Sequence, residues 1–490
     1  MTEKREIIVQ CNSCKERMII PANNSVFKCH CIYCNHIFSF PQLDFVLGDN
    51  LRGDAKVIDI YYGGMGIVYI CESLIDGMVE KTAFKTLRNK YFANKEILER
   101  FKREAQIWVE LTVHENIVQA YYVDSFHSKP YISLEYVENN LRNYLAEKDF
   151  CLDLKECLLF AIQFCRGMNH VHKQFPDFVH RDIKPANCLL TTDNKLKIAD
   201  FGLSKVFDDI PGSSEFFNDD KADNTVETQH FKTRKGKTCI GTLPYISPQQ
   251  IKDFSLTSEV SDVYSFGIVL YEMIAGTLPF RGKTHSEWLN HQMNSQPVKM
   301  KFYRSDVPLS VESLVLKCLE KKASERIQNF HQLEEQLNKI YEDLFHIEVL
   351  HEQEKEETSV LQDQLRALSL AELGKFKEAL LYADKALAVE WDQAFHTKGK
   401  VLRMMGKYEE ALKYIDKALE LTPGFNWAMH EKAFILYKMK KIAALKEFHE
   451  KCLEEKQGLS KLAEDPESKA FLENYNKSLD YIKKLLQYQE

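Results

Sequence analysis

The sequence predicts a multidomain α+β chain in three parts: a small cysteine-stapled module, a body of strands followed by helices, and an all-α stack of repeats. Three observations predict this. Five of the thirteen cysteines fall between residues 11 and 34. Short segments rich in β-branched and aromatic residues occupy 57–87, whereas helical apolar spacing dominates after residue 150. Beyond residue 346 Gly and Pro become scarce, and short sequence blocks recur at offsets of 32 and 34 residues.

The whole chain sets the bounds. Its 490 residues suggest about three domains at roughly 150 residues each. A net charge of −7 leaves no basic excess to neutralise phosphates, so nucleic acid is not expected as the main partner. No apolar run reaches the 18 residues a membrane-spanning helix needs, and the charged stretch Met1–Ile8 lacks a signal-peptide core. A cytoplasmic protein with reduced thiols and no membrane partner is therefore expected.

Residues 1–40 carry Cys11-Asn-Ser-Cys14 and, after sixteen intervening residues, Cys31-Ile-Tyr-Cys34. Each CxxC turn presents two thiolates on one side, and two such turns complete a tetrahedral four-sulfur site. With no position left for a catalytic water, the metal would be a structural Zn2+ supplying the folding energy that forty residues cannot. Cys29 could replace Cys31, but only Cys31 keeps the spacing; His30 and His36 lie close by. The segment resembles the short zinc ribbons at the start of some bacterial proteins. Residues 41–56 read as a linker. The eight remaining cysteines, Cys71, Cys151, Cys157, Cys165, Cys188, Cys239, Cys318 and Cys452, are expected as buried hydrophobes.

The segment 57–345 holds the chemistry. Strands are expected at Val57–Tyr62, Ile67–Cys71 and Val79–Leu87, and a helix at Asn94–Leu111 with Ile97, Leu98, Phe101, Ala105, Trp108 and Val109 on its apolar face. Between the first two strands lie Gly63, Gly64 and Gly66, which would let backbone close over phosphates. Lys85 stands on a strand nineteen residues past Gly66, and Glu104 on the next helix could turn inward to pair with it. Taken singly, these are also what a tight hairpin and two surface charges would give. Downstream comes His180-Arg181-Asp182-Ile183-Lys184-Pro185-Ala186-Asn187, with Asp200-Phe201-Gly202 thirteen residues after Asn187.

On these motifs the chain, from about residue 52 to 342, resembles the protein-kinase family, in particular bacterial Ser/Thr kinases of the eukaryotic type. The resemblance extends to Gly241-Thr242-Leu243-Pro244-Tyr245-Ile246-Ser247-Pro248-Gln249, to Ser261-Asp262-Val263-Tyr264-Ser265-Phe266-Gly267 and to Arg326. It implies a bilobal kinase fold, with an N-lobe at about 57–137 and a C-lobe at about 138–345, using ATP with Mg2+ or Mn2+ on protein substrates. It implies Asp182 as the base for the substrate hydroxyl and Lys184 as the group steadying the phosphoryl. Asn187 and Asp200 would hold the metal. Lys85 and Glu104 would form the ion pair of the active state. Val68, Ala83, Leu134, Glu135, Val137 and Leu189 would line the ATP site with the glycines. Arg181 would meet a phosphate on the activation segment, with Thr233 and Thr238 as candidate autophosphorylation sites.

Two departures stand out: Tyr61 replaces the first glycine of the loop, and Gln249 replaces a carboxylate expected to pair with Arg326. They keep a second reading open, a kinase-fold scaffold of little activity that binds nucleotide and partners.

From Leu333 a stripe runs through Leu337, Ile340, Leu344 and Ile347, as on one long helix. Two readings fit, the last C-lobe helix running on toward a helical linker (346–360) or a coiled-coil seam making a homodimer; the first is preferred. The charge run 351–357 reads as a solvated helix face.

In 361–490, Gly374-Lys375-Phe376 with Ala379 recurs as Gly406-Lys407-Tyr408 with Ala411, and a weaker third copy starts at Lys440. The pattern resembles tetratricopeptide repeats, implying a helical solenoid with C-terminal capping helices that recruits protein or peptide partners.

Overall fold

The computed structural model describes residues 45–51, 55–63, 66–75, 78–92, 94–126, 129–201, 243–349, 360–460 and 466–487. It also describes the backbone of six short strands outside those ranges. The chain divides into two compact units, Met1–Ala120 with Ser125–Lys355, and Tyr121–Asp124 with Glu356–Glu490. Among the described residues no helix is long and apolar enough to cross a membrane.

At the N-terminus β1 (Glu6–Gln10) pairs antiparallel with β2 (Arg17–Pro21), and β3 (Lys28–His30) with β4 (Ile37–Ser39). Cys11, Cys14, Cys31 and Cys34 lie outside the described residues.

The first large sheet has the order β5-β6-β7-β8-β10-β9, built from β5 (Asn50–Leu51), β6 (Ala55–Tyr62), β7 (Gly66–Ile75), β8 (Met78–Leu87), β9 (Ala120–Phe126) and β10 (Lys129–Glu135). Phe45 and Leu51, in the stretch read as a linker, are buried, and the Phe45 ring packs edge-on against Tyr69. A short helix α1 (Asn89–Phe92) leads to α2 (Lys95–Glu110). Asn94 starts α2 by accepting the N–H groups of Glu96 and Ile97 on its side chain. The inward face of α2 buries Ile97, Phe101, Glu104, Ala105, Trp108 and Val109. Glu104 is the one charged group on that face, so it must find a partner inside.

The helical half follows: β11 (Asn139–Asn140), α3 (Leu141–Glu147), α4 (Leu154–Gln174), the hairpin β12 (Cys188–Leu190) and β13 (Leu196–Ile198), β14 (Gln229–Lys232) and β15 (Thr238–Gly241). Then come α5 (Pro248–Lys252), α6 (Glu259–Ala275), α7 (His285–Asn294), α8 (Leu309–Cys318) and α9 (Phe330–Phe345). Apart from its first two residues and last, α6 is buried throughout, which is why its sequence is apolar all round. The first part of the stripe from Leu333 is spent within this unit. Leu333 and Leu337 are wholly buried as α9 packs against α4, and the helix stops at Phe345, with His346 in the left-handed conformation at φ 53°. The expected longer helix is thus corrected, and the seam reading loses two of its residues to this core. The run 351–357 lies outside the described residues. Cys71, Cys157, Cys165, Cys188, Cys318 and Cys452 are buried as expected, but Cys151 is exposed.

The second unit alternates α10 (Val360–Glu372), α11 (Phe376–Ala386), α12 (Asp392–Met404), α13 (Tyr408–Leu421), α14 (Asn426–Lys438), α15 (Ile442–Ser460) and α16 (Pro466–Gln487). One contact recurs at the sequence offsets of 32 and 34: Arg366 over the Tyr382 ring, Lys398 over Tyr414, Lys432 over Phe448. Ala379 and Ala411 are fully buried; a Cβ on Gly399 would meet the Ile415 side chain at 2.5 Å, so a larger residue there would have to displace Ile415 between α12 and α13.

The turn inside each pair shows why the third copy is weak in sequence. Gly374 and Gly406 both have φ 78°, and the equivalent residue of the third pair is Lys440 at φ 57°. All three turns make the same two hydrogen bonds, for Lys440 its N–H to Tyr437 O at 3.0 Å and the next N–H to Leu436 O at 3.0 Å. A side chain in this conformation is strained, and glycine relieves the strain at some cost in unfolded-chain entropy. Lys440→Gly should stabilise α14–α15 by about 0.5–1 kcal/mol, measured as slower amide hydrogen exchange in those helices.

Candidate active site

The strand register brings the N-lobe residues together. Val68 stands opposite Lys85, and Ala83 opposite both Ile70 and Leu134. Glu135 begins the connection to the helical half, and its carboxylate is held by Lys197 at 3.0 Å, which fixes the strand end beside Val137. Leu189, on β12, is partly buried. Gly63 N–H donates to Gly66 O at 2.9 Å, closing the glycine turn; Gly64 lies outside the described residues. Tyr61 pairs with Val68 through its backbone, while its ring is exposed and its hydroxyl bonds Asp59, which raises its pKa. The tyrosine thus leaves the loop paired and projects away from the buried face.

Lys85 is the centre of the site. Its Nζ lies 2.6 Å from Glu104 Oε1 and 2.5 Å from Asp200 Oδ1, and the Trp108 ring sits beneath it at 5.4 Å. Burial opposes the ammonium charge, but the carboxylates of Asp200 and Glu104 outweigh it and hold Lys85 protonated. Burial pushes Glu104 up to about 7, with the Lys85 charge opposing; Glu104 Oε2 has no partner among the described residues. Asp200 is kept below the usual carboxylate range against its own burial by Lys85. It adopts φ 64°, a left-handed conformation that costs free energy and needs the surrounding structure to hold it.

The second cluster lies on the loop after α4. Lys184 Nζ approaches Asp182 Oδ2 at 2.9 Å, and Asn187 Nδ2 donates to Asp182 O at 2.8 Å and Oδ2 at 3.2 Å. Asp262 of α6 accepts the backbone N–H groups of His180 at 2.6 Å and Arg181 at 2.9 Å, pinning the loop on the buried helix. Phe201 packs edge-on against Trp108 and tilted against His180, so the two clusters share one aromatic contact.

Asp262, Trp108 and Gln250 were not assigned roles from the sequence. An aspartate within an apolar helix was a readable signal for the first; the other two show only in three dimensions. Gln250 Nε2 donates to Arg181 O at 2.9 Å while its Oε1 accepts from Ser247, tying the start of α5 to the loop after α4. Arg181 Nε donates to Thr257 Oγ1 at 2.8 Å. Thr233 lies outside the described residues, as does the side chain of Thr238. Among the described residues no group of three or more His, Cys, Asp or Glu side chains could hold a metal ion.

Gln249 and Arg326 do meet. Gln249 Oε1 accepts from both Arg326 Nη1 and Nη2, each at 3.3 Å, and backbone oxygens of Val260 and Glu320 take the remaining donors. Burial pulls Arg326 down to about 10. A carboxylate at 249 would turn two long bonds from the Arg326 cation to a neutral amide oxygen into bonds within an ion pair. Gln249→Glu should therefore stabilise the first unit by about 1.5–3 kcal/mol, read as a higher urea midpoint at constant slope, with higher basal activity from a better anchored segment. An unchanged midpoint would mean the backbone oxygens already satisfy Arg326.

Comparison with known proteins agrees with this geometry. The profile of the protein kinase domain matches residues 59–339, and that of a tetratricopeptide repeat matches residues 393–425. A probable serine/threonine-protein kinase of Clostridium acetobutylicum is 29% identical over 283 residues, 58% of this chain and 39% of that protein. Serine/threonine-protein kinase PrkC of Bacillus subtilis is 29% identical over 291 residues, 59% of this chain and 41% of that one. PknB of Mycolicibacterium smegmatis is 27% identical over 285 residues, covering 57% and 42%. The chain spans about two fifths of the length of these relatives. With more than half of its residues matched by the kinase domain and both charged clusters assembled, the chain belongs to the protein kinase family.

Proposed function

We propose that the protein is an ATP-dependent serine/threonine protein kinase that transfers the γ-phosphoryl group to protein hydroxyls and recruits partners through its repeats. The observation that carries this is the pair of assembled clusters, Lys85–Glu104–Asp200 and Asp182–Lys184–Asn187. Asp182 accepts the proton of the substrate hydroxyl, Lys184 steadies the transferred group, and Lys85 holds the α- and β-phosphates. Val68, Ala83 and Leu134 enclose the adenine, with Glu135, Val137 and Leu189 completing the pocket and the glycine turn covering the phosphates. Asn187 and Asp200 would fit magnesium or manganese, each offering an oxygen ligand, Asp200 beside the phosphate-binding Lys85 and Asn187 beside Asp182. The metal, when bound, neutralises phosphate charge. The scaffold reading draws on Tyr61 and Gln249, yet the tyrosine ring points outward and Gln249 still meets Arg326.

The test is transfer from ATP to a generic protein substrate. Phosphate on Ser and Thr is expected; ATP binding with no phosphoprotein formed would favour the scaffold.

The N-terminal segment is proposed to bind one structural zinc through Cys11, Cys14, Cys31 and Cys34. Each CxxC falls between the paired strands of a hairpin, β1–β2 or β3–β4, whereas Cys29 stands on β3 opposite Phe38, which favours Cys31 as ligand. Purified full chain should contain about one zinc per chain by elemental analysis, and Cys34→Ser should lose it while transfer persists. Protein purified without chelator and free of zinc would contradict this.

A further inference from the structure

Gln292 of α7 is wholly buried, and its amide is used at both ends. Nε2 donates to Pro244 O at 2.6 Å and reaches Leu243 O at 3.4 Å, while Oε1 accepts the Tyr264 hydroxyl at 2.6 Å. Leu243–Tyr245 form a single 3-10 turn whose closing bond, Ile246 N–H to Leu243 O, is 3.5 Å long. Its buried carbonyls therefore draw on the glutamine for a donor. The same tyrosine hydroxyl accepts from Lys321 Nζ at 2.9 Å. Lys321 also donates to the backbone oxygens of His291 at 3.2 Å and Gln292 at 2.9 Å, and its ammonium lies 4.1 Å from the Phe280 ring.

The donors give this chain of bonds one direction. An ammonium donates and never accepts. Tyr264, accepting from Lys321, therefore spends its own proton on Gln292 Oε1, and that bond turns the amide so that its nitrogen faces the turn. Burial, then the Arg326 charge, pulls Lys321 down to about 7, while its three neutral oxygen acceptors favour the protonated form. The turn also stands close to Asp182. Tyr245 donates its hydroxyl to Glu272 Oε2 at 2.6 Å, and Gln250 Nε2 holds the backbone oxygen of Arg181, the residue before Asp182. A polypeptide presenting a hydroxyl to Asp182 thus runs beside 243–250. The far anchor of this stretch is the long contact of Gln249 with Arg326 at 3.3 Å, and Arg326 also lies over the Tyr264 ring at 4.8 Å. A neutral amide there leaves more of the positioning to Gln292.

We infer that Gln292, oriented by Lys321 through Tyr264, is a positioning residue for the protein substrate: it sets the place of the Leu243–Tyr245 turn, against which the chain flanking the accepting hydroxyl rests. Gln292 and Tyr264 are both 0% exposed, so they act through the turn and not by touching the substrate. This deepens the reading of the chain as an active protein kinase and rests on it.

The test uses the full chain, Gln292→Met, Tyr264→Phe and the double variant, with a pool of short fluorescent peptides carrying a central serine between varied flanks. In steady-state kinetics Gln292→Met should raise the apparent KM for the pool by about tenfold, the loss of one hydrogen bond of ordinary strength. KM for ATP and kcat should stay nearly unchanged. Tyr264→Phe removes only a buried hydroxyl and should raise the peptide KM by a smaller factor. The double variant should match Gln292→Met alone, because the hydroxyl acts through the amide. A glutamine that merely supports the fold would lower kcat through the fraction of active protein and leave both KM values as they are. That result, an equal rise in KM for ATP, or additive effects in the double variant would each overturn the inference. Anisotropy of the pool without ATP separates this inference from the reading it rests on. Weaker peptide binding by the variants, in a chain that transfers no phosphate, would support the positioning and sink the transfer reading alone. Equal affinity in all four proteins, or no binding by the wild type, would overturn the positioning.

Discussion

Asp182→Asn should lower the turnover number for phosphoryl transfer by about 10²–10⁴-fold, the range for removing a general base, while leaving ATP affinity nearly unchanged. Asp182 contacts Lys184 and Asn187, whereas Lys85 contacts Glu104 and Asp200. The bond from Asn187 Nδ2 to the backbone oxygen of residue 182 survives the substitution, so the loop keeps its conformation. The loss should therefore fall on turnover and spare nucleotide binding. Isothermal titration with ATP and steady-state kinetics separate the two. Unchanged turnover would mean the base has been misassigned.

Lys85→Met should act on binding and stability together. It leaves Glu104, with a side chain 2% exposed, facing Asp200 with no cation between them. Breaking a buried pair by removing one partner costs about 3–5 kcal/mol. Here Glu104 can escape part of that by protonating, because burial already raises it to about 7 with Lys85 opposing. The sign follows. In the variant the folded-state pKa lies further above its unfolded value, so the folded state holds a proton that the unfolded state releases. The deficit against wild type should be small near pH 5 and grow as pH rises toward and beyond 7. Urea midpoints across that range, with ATP affinity at pH 7.5, check both effects. A deficit that shrinks with rising pH would refute the assignment of the buried charge.

Most of the candidate site was legible because its residues lie in short contiguous motifs. His180 to Asn187 and Asp200 to Gly202 carry their spacing in the chain itself, and the helix of Glu104 has a regular apolar face with one acid on it. The parts that were not legible depend on contacts between distant segments. Trp108 reads as one more core residue until Lys85 and Phe201 are seen against it. Gln250 is an unremarkable neighbour of Gln249 until its amide reaches Arg181 O. Phe45 sits in a stretch whose turn residues suggest a linker, and only the ring of Tyr69 gives it a place. Periodicity also overran at α9, where the apolar stripe continues but His346 ends the helix through a left-handed backbone that spacing does not encode. In the repeats the reverse held: the offsets of 32 and 34 were visible in sequence, and Lys440 in place of glycine explains why the third copy was faint.

The measurement that tests the central claim most directly is intact-mass spectrometry of the purified full chain after incubation with ATP, with magnesium and with a chelator, followed by mapping of modified residues. Phosphate added only in the presence of magnesium, and located on serine or threonine, is the expected result. A chain that binds ATP yet gains no phosphate and passes none to a generic protein substrate would contradict it.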